Sequence, residues 1–199
     1  MHDPGLLHLP PAPIERVNMI TFPPNDPPAE SYINQFAVPP VAVLRWWVPG
    51  FPIMVGANIQ DDADLAHLRR DFGITHVLDV ESGRPATADH GGGYCKIEMV
   101  DNGMPMAPPL LVDACSFAKA ALAGPAAKLY VHCHMGASRS PAYVYAIMRS
   151  VFGLTHEQGI VAINRGFPHG DGYHWSHHPA QQAYVGAIDC WIDRGGLGA

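Results

Sequence analysis

The sequence predicts an α/β domain in which a central sheet, mixed or parallel, is flanked by helices in three layers. Between residues 41 and 193, short apolar runs of strand length alternate with longer segments of helical periodicity. Strands that are separated by helical crossovers form parallel pairs, and helices then cover the faces of the sheet. The chain has 199 residues, 48% of them hydrophobic, which is enough to bury a core of ordinary size.

Five strands are expected from runs of β-branched and other apolar residues. Pro49 and Gly50 separate the first two runs and predict a turn between them. The expected strands cover residues 41–48, 52–55, 75–80, 95–100 and 128–131. Because ligands bind at the carboxyl ends of parallel strands, the residues directly after the last strand are candidates for a site.

Five helices are expected between and after these strands. Asp61 or Asp62 caps the first helix and Gly73 ends it, whereas Thr155 and Gln158 fit a capping box at the start of the fourth. The expected helices cover residues 61–71, 110–122, 141–151, a segment that begins after residue 155, and 180–193.

The sequence predicts a division near residue 40 into a proline-rich N-terminal arm, residues 1–40, and one folded domain, residues 41–199. Twelve of the twenty prolines lie within residues 1–52, so the arm is expected to be extended rather than helical. Its aromatic residues, such as Phe22 and Tyr32, favour an arm that packs along the domain over a disordered tail. Docking of a partner through the proline turns is the alternative.

Composition limits the partners and the compartment. A formal charge of −6 argues against nucleic acid or an anionic membrane surface as the main partner. The four cysteines show no paired spacing, so we expect free thiols and a reducing, cytoplasmic location. The chain contains no apolar run of 18 residues, and we expect neither a signal peptide nor a membrane span.

The segment after the last strand is suited to holding a phosphate group. Cys133 and Arg139 are separated by five residues, which lets the chain curl into a ring of backbone N–H groups ahead of a helix. The expected phosphate-binding residues are His134, Met135, Gly136, Ala137, Ser138 and Arg139. The same field favours a thiolate on Cys133, and the planar guanidinium of Arg139 can bind two phosphate oxygens.

The segment His132-Cys133-x5-Arg139-Ser140 resembles the signature of the cysteine-dependent protein tyrosine phosphatases, in its dual-specificity branch. The resemblance extends over roughly residues 51–192, and it implies a phosphatase-like fold. It further implies hydrolysis of phosphotyrosine and of phosphoserine or phosphothreonine through a phosphocysteine intermediate. Ser140 would then assist the departing thiolate, and His132 would support the loop through hydrogen bonds.

A phosphatase of this kind needs an acid that delivers a proton to the leaving oxygen. Asp101 follows an expected strand and lies 32 positions before Cys133, a spacing similar to that of the family. Asp89 and Asp113 are the competitors. Asp113 falls within an expected helix, and Asp89 lies beside a run of glycines where no strand would hold it, so we assign the acid to Asp101.

The expected partner is a phosphorylated protein, with no cofactor and no metal. The loop contains no lysine, whereas inositol phospholipids and RNA 5′-phosphates favour a more basic cleft. The histidine-rich segment 169–178 does not match a zinc template and is expected to face substrate or solvent. Two alternatives stay open: a module that binds phosphate with little turnover, and a phosphatase acting on a substrate other than protein.

Overall fold

A computed structural model of the chain describes residues 31–33, 42–86, 88, 90, 91, 93–166, 175 and 179–198. Its strands form a mixed six-stranded sheet in the order β1-β2-β3-β6-β4-β5. The strands are β1 (Ser31–Ile33), β2 (Ala42–Trp47), β3 (Ile53–Gly56), β4 (His76–Asp79), β5 (Tyr94–Lys96) and β6 (Leu129–His132). Antiparallel pairing joins β1 to β2 and β2 to β3, and the other pairs are parallel.

The register of the parallel strands brings three strand ends together. Gly56 at the end of β3 and Asp79 at the end of β4 both pair with His132 at the end of β6. Cys133 directly follows His132, so the cysteine emerges at the carboxyl edge of the sheet, where the sequence placed it.

Helices cover both faces of the sheet and give the three predicted layers. They are α1 (Asp62–Phe72), α2 (Pro108–Ala121), α3 (Arg139–Ser150), α4 (His156–Gly166) and α5 (Pro179–Asp193). Successive strand residues point to opposite faces. Accordingly, Met54 and Tyr130 pack in a cluster with α1, whereas Val55 and Val131 join the larger core with the other helices. The predicted fold class is confirmed.

Helix α3 is the central helix of the larger layer. Its residues from Arg139 to Met148 are all buried, because it packs against strands β3 and β6 and against helices α2, α4 and α5. A helix that is apolar on all sides is typical of such a position. The phosphate-loop arginine therefore starts a helix that the rest of the domain holds on every side.

The predicted helix signals have the expected geometry. Asp61 caps α1 by accepting the Asp64 N–H at 2.9 Å, and Gly73 ends the helix with φ +70°. At α4, the Gln158 side chain accepts the Thr155 N–H at 2.9 Å, and the Thr155 hydroxyl accepts the Gln158 N–H at 3.3 Å. This reciprocal pair is the predicted capping box.

Some element boundaries differ from the prediction. The strand expected over 95–100 ends at Lys96. The neighbouring strand β4 ends at Asp79, whose carbonyl accepts the Ile97 N–H at 2.7 Å, and β4 provides no further pairing for the residues that follow. Helix α3 begins at Arg139 rather than Pro141, since a proline fits anywhere in a first turn, where its N–H would be unpaired.

Two predicted features are only partly within the described residues. Of the N-terminal arm, Ser31–Ile33 form the edge strand β1, and the boundary at residue 40 stays a prediction. The histidine-rich segment lies outside the described residues except for buried Trp175. None of the helices in the described ranges is long and apolar enough to cross a membrane.

Candidate active site

Cys133 lies at the base of a loop between β6 and α3. Its side chain is buried, and its backbone N–H donates to the Gly56 carbonyl at 3.4 Å. The Ser140 hydroxyl lies 3.0 Å from the Cys133 Sγ and 3.3 Å from the same Gly56 carbonyl. A hydroxyl in this position can donate its hydrogen to a thiolate, as the resemblance implied for Ser140.

Gly136 sets the path of the loop. It has φ +77°, a conformation that favours glycine, and a Cβ built on it would lie 2.6 Å from the Gly56 carbonyl carbon. The loop therefore presses backbone against the end of β3. Residues 134–138 lead directly into the first turn of α3, whose N-terminal N–H groups and dipole favour an anion.

Arg139 is held beneath the loop with only 7% of its surface exposed. Its Nη1 donates to the Met99 carbonyl at 2.9 Å, and its Nε lies 3.4 Å from the Asp101 Oδ2. These contacts fix the guanidinium plane, which reduces the entropy lost when it binds phosphate oxygens.

Asp101 is placed beside the loop, as the sequence predicted. Its Oδ1 accepts hydrogen bonds from the Ser138 hydroxyl and from the Tyr184 hydroxyl, each at 3.0 Å. The carboxyl group is 39% exposed, so substrate can reach it. The structure thus brings together Cys133, Arg139, Asp101 and Ser140, four residues that span 40 positions of the chain.

Tyr184 was missed by the sequence reasoning. It lies on α5 and is fully buried, and its hydroxyl accepts the Gly103 N–H at 3.1 Å while it donates to Asp101. One hydroxyl therefore fastens both the carboxylate and the backbone of the segment that carries it. Tyr184 is 83 positions from Asp101, and nothing in the sequence pattern of a helical tyrosine reveals such a contact.

His132 is buried beside the cysteine, and burial lowers its pKa to about 4 despite the opposing effect of Asp79. The ring is therefore neutral near pH 7. A hydrogen bond with the Cys133 backbone opposes the effect of burial on this pKa, as Asp79 does, and the predicted role of His132 in supporting the loop stays a prediction. The ring also stacks on Tyr130, with centroids 5.6 Å apart.

An acidic pair lies next to His132 at the end of β4. One ligand atom each from Asp79, Glu81 and His132 lie within 4.8 Å of one another, which makes the group a possible metal-binding set. The Lys96 ammonium, however, lies 2.9 Å from Asp79 Oδ2 and donates to the Glu81 carbonyl at 2.8 Å. The chain thus supplies its own cation to this cluster.

The remaining predicted residues surround the loop in different ways. The His134 ring is half exposed, with Nδ1 3.2 Å from Glu81 Oε1, and Met135 is 54% exposed. Ala137 is partly buried against the larger core. Of the competing acids, Asp113 lies on α2, and Asp89 lies outside the described residues.

Several solved structures of phosphatases and phosphatase-like proteins are similar to this architecture. The human tyrosine phosphatase-like serine/threonine/tyrosine-interacting protein superposes with a TM-score of 0.59 at 16% identity, covering 75% of this chain and 96% of that one. PTPMT1 gives 0.57 at 18%, covering 75% and 97%. Human DUSP28 gives 0.54 at 20%, covering 73% and 95%.

The chain has the dual-specificity phosphatase fold. The resemblance found in the sequence is confirmed at this level. No protein-family model and no curated protein matches the sequence. Because the identities to the solved structures are low, these structures show only the fold of this chain. Its chemistry depends on the residues at its own site.

Proposed function

We propose that the protein is a cysteine-dependent phosphatase that hydrolyses phosphotyrosine and phosphoserine or phosphothreonine in proteins. The convergence of Cys133, Arg139, Asp101 and Ser140 at one strand end supports this proposal. A module that only binds phosphate needs the arginine and the loop, but it does not need a thiol with a hydroxyl donor or an acid beside the loop.

In the first step, the Cys133 thiolate attacks phosphorus while the loop N–H groups and Arg139 hold the non-bridging oxygens. An S–P bond forms and the P–O bond to the leaving group breaks. The protonated Asp101 carboxyl gives its proton to the departing oxygen, so that an alcohol or phenol leaves rather than an alkoxide or phenoxide.

In the second step, water attacks the phosphocysteine. Asp101, now ionised, takes a proton from that water, and inorganic phosphate leaves as the S–P bond breaks. The Ser140 hydroxyl, 3.0 Å from Sγ, stabilises the thiolate that departs.

The Asp101–Arg139 ion pair fits this cycle. Without substrate, Asp101 Oδ2 lies 3.4 Å from Arg139 Nε. A dianionic phosphate bound by Arg139 takes over that cation and places negative charge beside Asp101. Substrate binding therefore releases the Asp101 carboxyl group from its ion pair, so that the group can face the leaving oxygen.

Protein is the proposed substrate class, although PTPMT1 has been crystallised with PI(5)P. In this chain the phosphate loop carries no lysine or arginine between Cys133 and Arg139, and its one basic side chain, His134, contacts Glu81. Several fixed cations would be expected around a polyphosphorylated headgroup. A reducing, cytoplasmic location would keep the Cys133 thiol available. The proline-rich arm is proposed to pack along the domain, with docking of a partner through its proline turns as the alternative.

The test is hydrolysis of p-nitrophenyl phosphate between pH 5 and 8, with a chelator present, by wild type and by Cys133→Ser. We expect turnover by wild type and none by the variant, because serine at this position is a far weaker nucleophile. Absence of turnover by fully reduced wild type would refute the enzymatic proposal and leave the phosphate-binding module.

A further inference from the structure

Exposed apolar side chains are concentrated around the candidate active site. Five large hydrophobic residues of the described chain are exposed, and three of them lie on the loops at the site. These three form what we term the apolar rim: Val100, 61% exposed, Met104, 61% exposed, and Met135, 54% exposed. The other two, Val112 and Val161, lie on α2 and α4.

The apolar rim comes from both loops that bind or act on the phosphate group. Val100 directly precedes Asp101 and Met104 follows it by three residues, whereas Met135 belongs to the loop after Cys133. The two loops meet through the hydrogen bond from the Ser138 hydroxyl to Asp101. A peptide whose phosphate is bound by the loop therefore lies next to the two segments that carry the rim.

The backbone that carries Met104 is held in place. Its N–H donates to Asn102 Oδ1 at 3.0 Å, and the neighbouring Gly103 N–H donates to the buried Tyr184 hydroxyl. The exposed methionine thus stands on an ordered turn. Methionine is suited to such a position because its flexible thioether packs on aromatic and aliphatic partners of varied shape.

The basic side chains described at this edge of the sheet lie close to acidic side chains, so they attract an anionic partner only weakly. Arg84 lies 3.5 Å from Glu81, Lys96 lies 2.9 Å from Asp79, and His134 lies 3.2 Å from Glu81. Arg139 is reserved for the phosphate itself. Acidic residues that flank a phosphorylated residue would meet the exposed carboxylate of Asp101, in a chain of formal charge −6.

We propose that the apolar rim selects phosphorylated peptides in which the residues next to the phosphorylated one are apolar. This inference deepens the proposed phosphatase function and rests on it. The residues next to the phosphorylated one cover Val100, Met104 and Met135, and the scarcity of unpaired cations among the described residues at the site disfavours acidic flanks. Partial burial of one such side chain is expected to change kcat/KM on the order of threefold to tenfold.

The test compares two phosphotyrosine peptides, one with leucine and one with glutamate on both sides of the phosphotyrosine. Each kcat/KM is divided by that of the same protein on p-nitrophenyl phosphate. For wild type we expect the leucine peptide to be preferred at least tenfold. Val100→Thr and Met104→Gln should each reduce that preference threefold or more, because they keep the shape and remove apolar surface.

Val161→Thr supplies the matched control, since it makes the same change as Val100→Thr at an exposed valine of α4. It should leave the preference unchanged. Equal or greater kcat/KM on the glutamate peptide, or on a soluble inositol monophosphate, would overturn the inference. So would a preference that the Val100 and Met104 variants retain in full.

A second measurement separates this inference from the proposed function. If wild type fails to hydrolyse p-nitrophenyl phosphate, the enzymatic proposal is wrong, and calorimetric binding of both peptides to the reduced protein then tests the rim alone. Tighter binding of the leucine peptide, weakened by Met104→Gln, would support selection by the rim. Binding of equal strength, or no binding of either peptide, would refute it.

Discussion

Replacing Tyr184 with phenylalanine removes one hydroxyl from the site and leaves a ring of the same shape. In the structure this hydroxyl donates to Asp101 Oδ1 at 3.0 Å and accepts the Gly103 N–H at 3.1 Å. The substitution leaves Asp101 with the Ser138 hydroxyl on Oδ1 and Arg139 near Oδ2. The carboxyl group can then turn away from the leaving oxygen.

The expected loss follows from the strength of that contact. A hydrogen bond to a charged group contributes about 1.5–3 kcal/mol, and each 1.36 kcal/mol corresponds to a tenfold change in rate. Because Ser138 still holds the carboxylate, we expect the lower end, about a tenfold fall in kcat/KM. The fall applies only to substrates whose leaving group needs a proton.

The assay compares an alkyl phosphate with p-nitrophenyl phosphate, whose leaving group departs readily without protonation. Tyr184→Phe should lower kcat/KM on the alkyl ester about tenfold and on the aryl ester less than threefold. Tyr145→Phe is the control, since it removes the hydroxyl of a tyrosine on α3 that donates at 2.6 Å to another carboxylate, Asp189 on α5. An equal loss on both esters, or no loss on the alkyl ester, would refute the assigned role of Tyr184.

Three further predictions concern the loop. The pKa of His132 falls from its ordinary 6.5 to about 4 on folding. Between these pH values the unfolded chain binds a proton that the folded chain does not. Protonation of His132 should therefore lower the free energy of unfolding by about 3 kcal/mol as the pH falls from 7 to 4. Urea titrations should show a flatter pH dependence for His132→Gln, and an unchanged slope would contradict the prediction. Gly136→Ala should lower the free energy of unfolding by about 1–3 kcal/mol and remove most of the activity, because its Cβ would lie 2.6 Å from the Gly56 carbonyl carbon. Thermal melts and aryl phosphate assays test this prediction. Full activity would contradict the path of the loop. Ser140→Ala should slow hydrolysis of the phosphocysteine, so that stopped-flow traces show a burst of p-nitrophenol before a slower steady state. A slower burst would instead place the role of Ser140 in the first step.

The phosphate loop could be predicted from the sequence because its information is local. Cys133, Gly136 and Arg139 lie within seven consecutive residues, and strand, turn and helix signals lead the chain through them in order. The capping box at Thr155 is local in the same way. Each such feature depends on spacing along the chain, which the sequence displays directly.

Contacts between distant segments could not be predicted from spacing. The Tyr184 and Ser138 hydroxyls reach Asp101 across 83 and 37 positions, and only the packing of α3 on the sheet and of α5 on α3 brings them there. The short β5 has a similar cause. Residues 97–100 have strand composition, but the preceding strand ends at Asp79 and leaves them without a neighbour to continue the ladder.

The environment of His132 shows a further limit. The motif places a histidine before the nucleophile, but it does not show that the ring stacks on Tyr130 or that Asp79 Oδ1 lies 3.9 Å from its Nδ1. Its burial, and hence its neutral state, depends on residues from three strands. Titration behaviour of this kind follows from the assembled core and has no signature in the motif.

The central claim is that Cys133 carries the phosphoryl group between the two steps. The most direct measurement is intact-protein and peptide mass spectrometry of Asp101→Asn, quenched in acid during turnover of p-nitrophenyl phosphate. This leaving group needs little acid catalysis, while the second step loses its base, so phosphoenzyme should accumulate with the added mass on Cys133. Turnover with no phosphoenzyme, or with the phosphoryl group on another residue, would contradict the account.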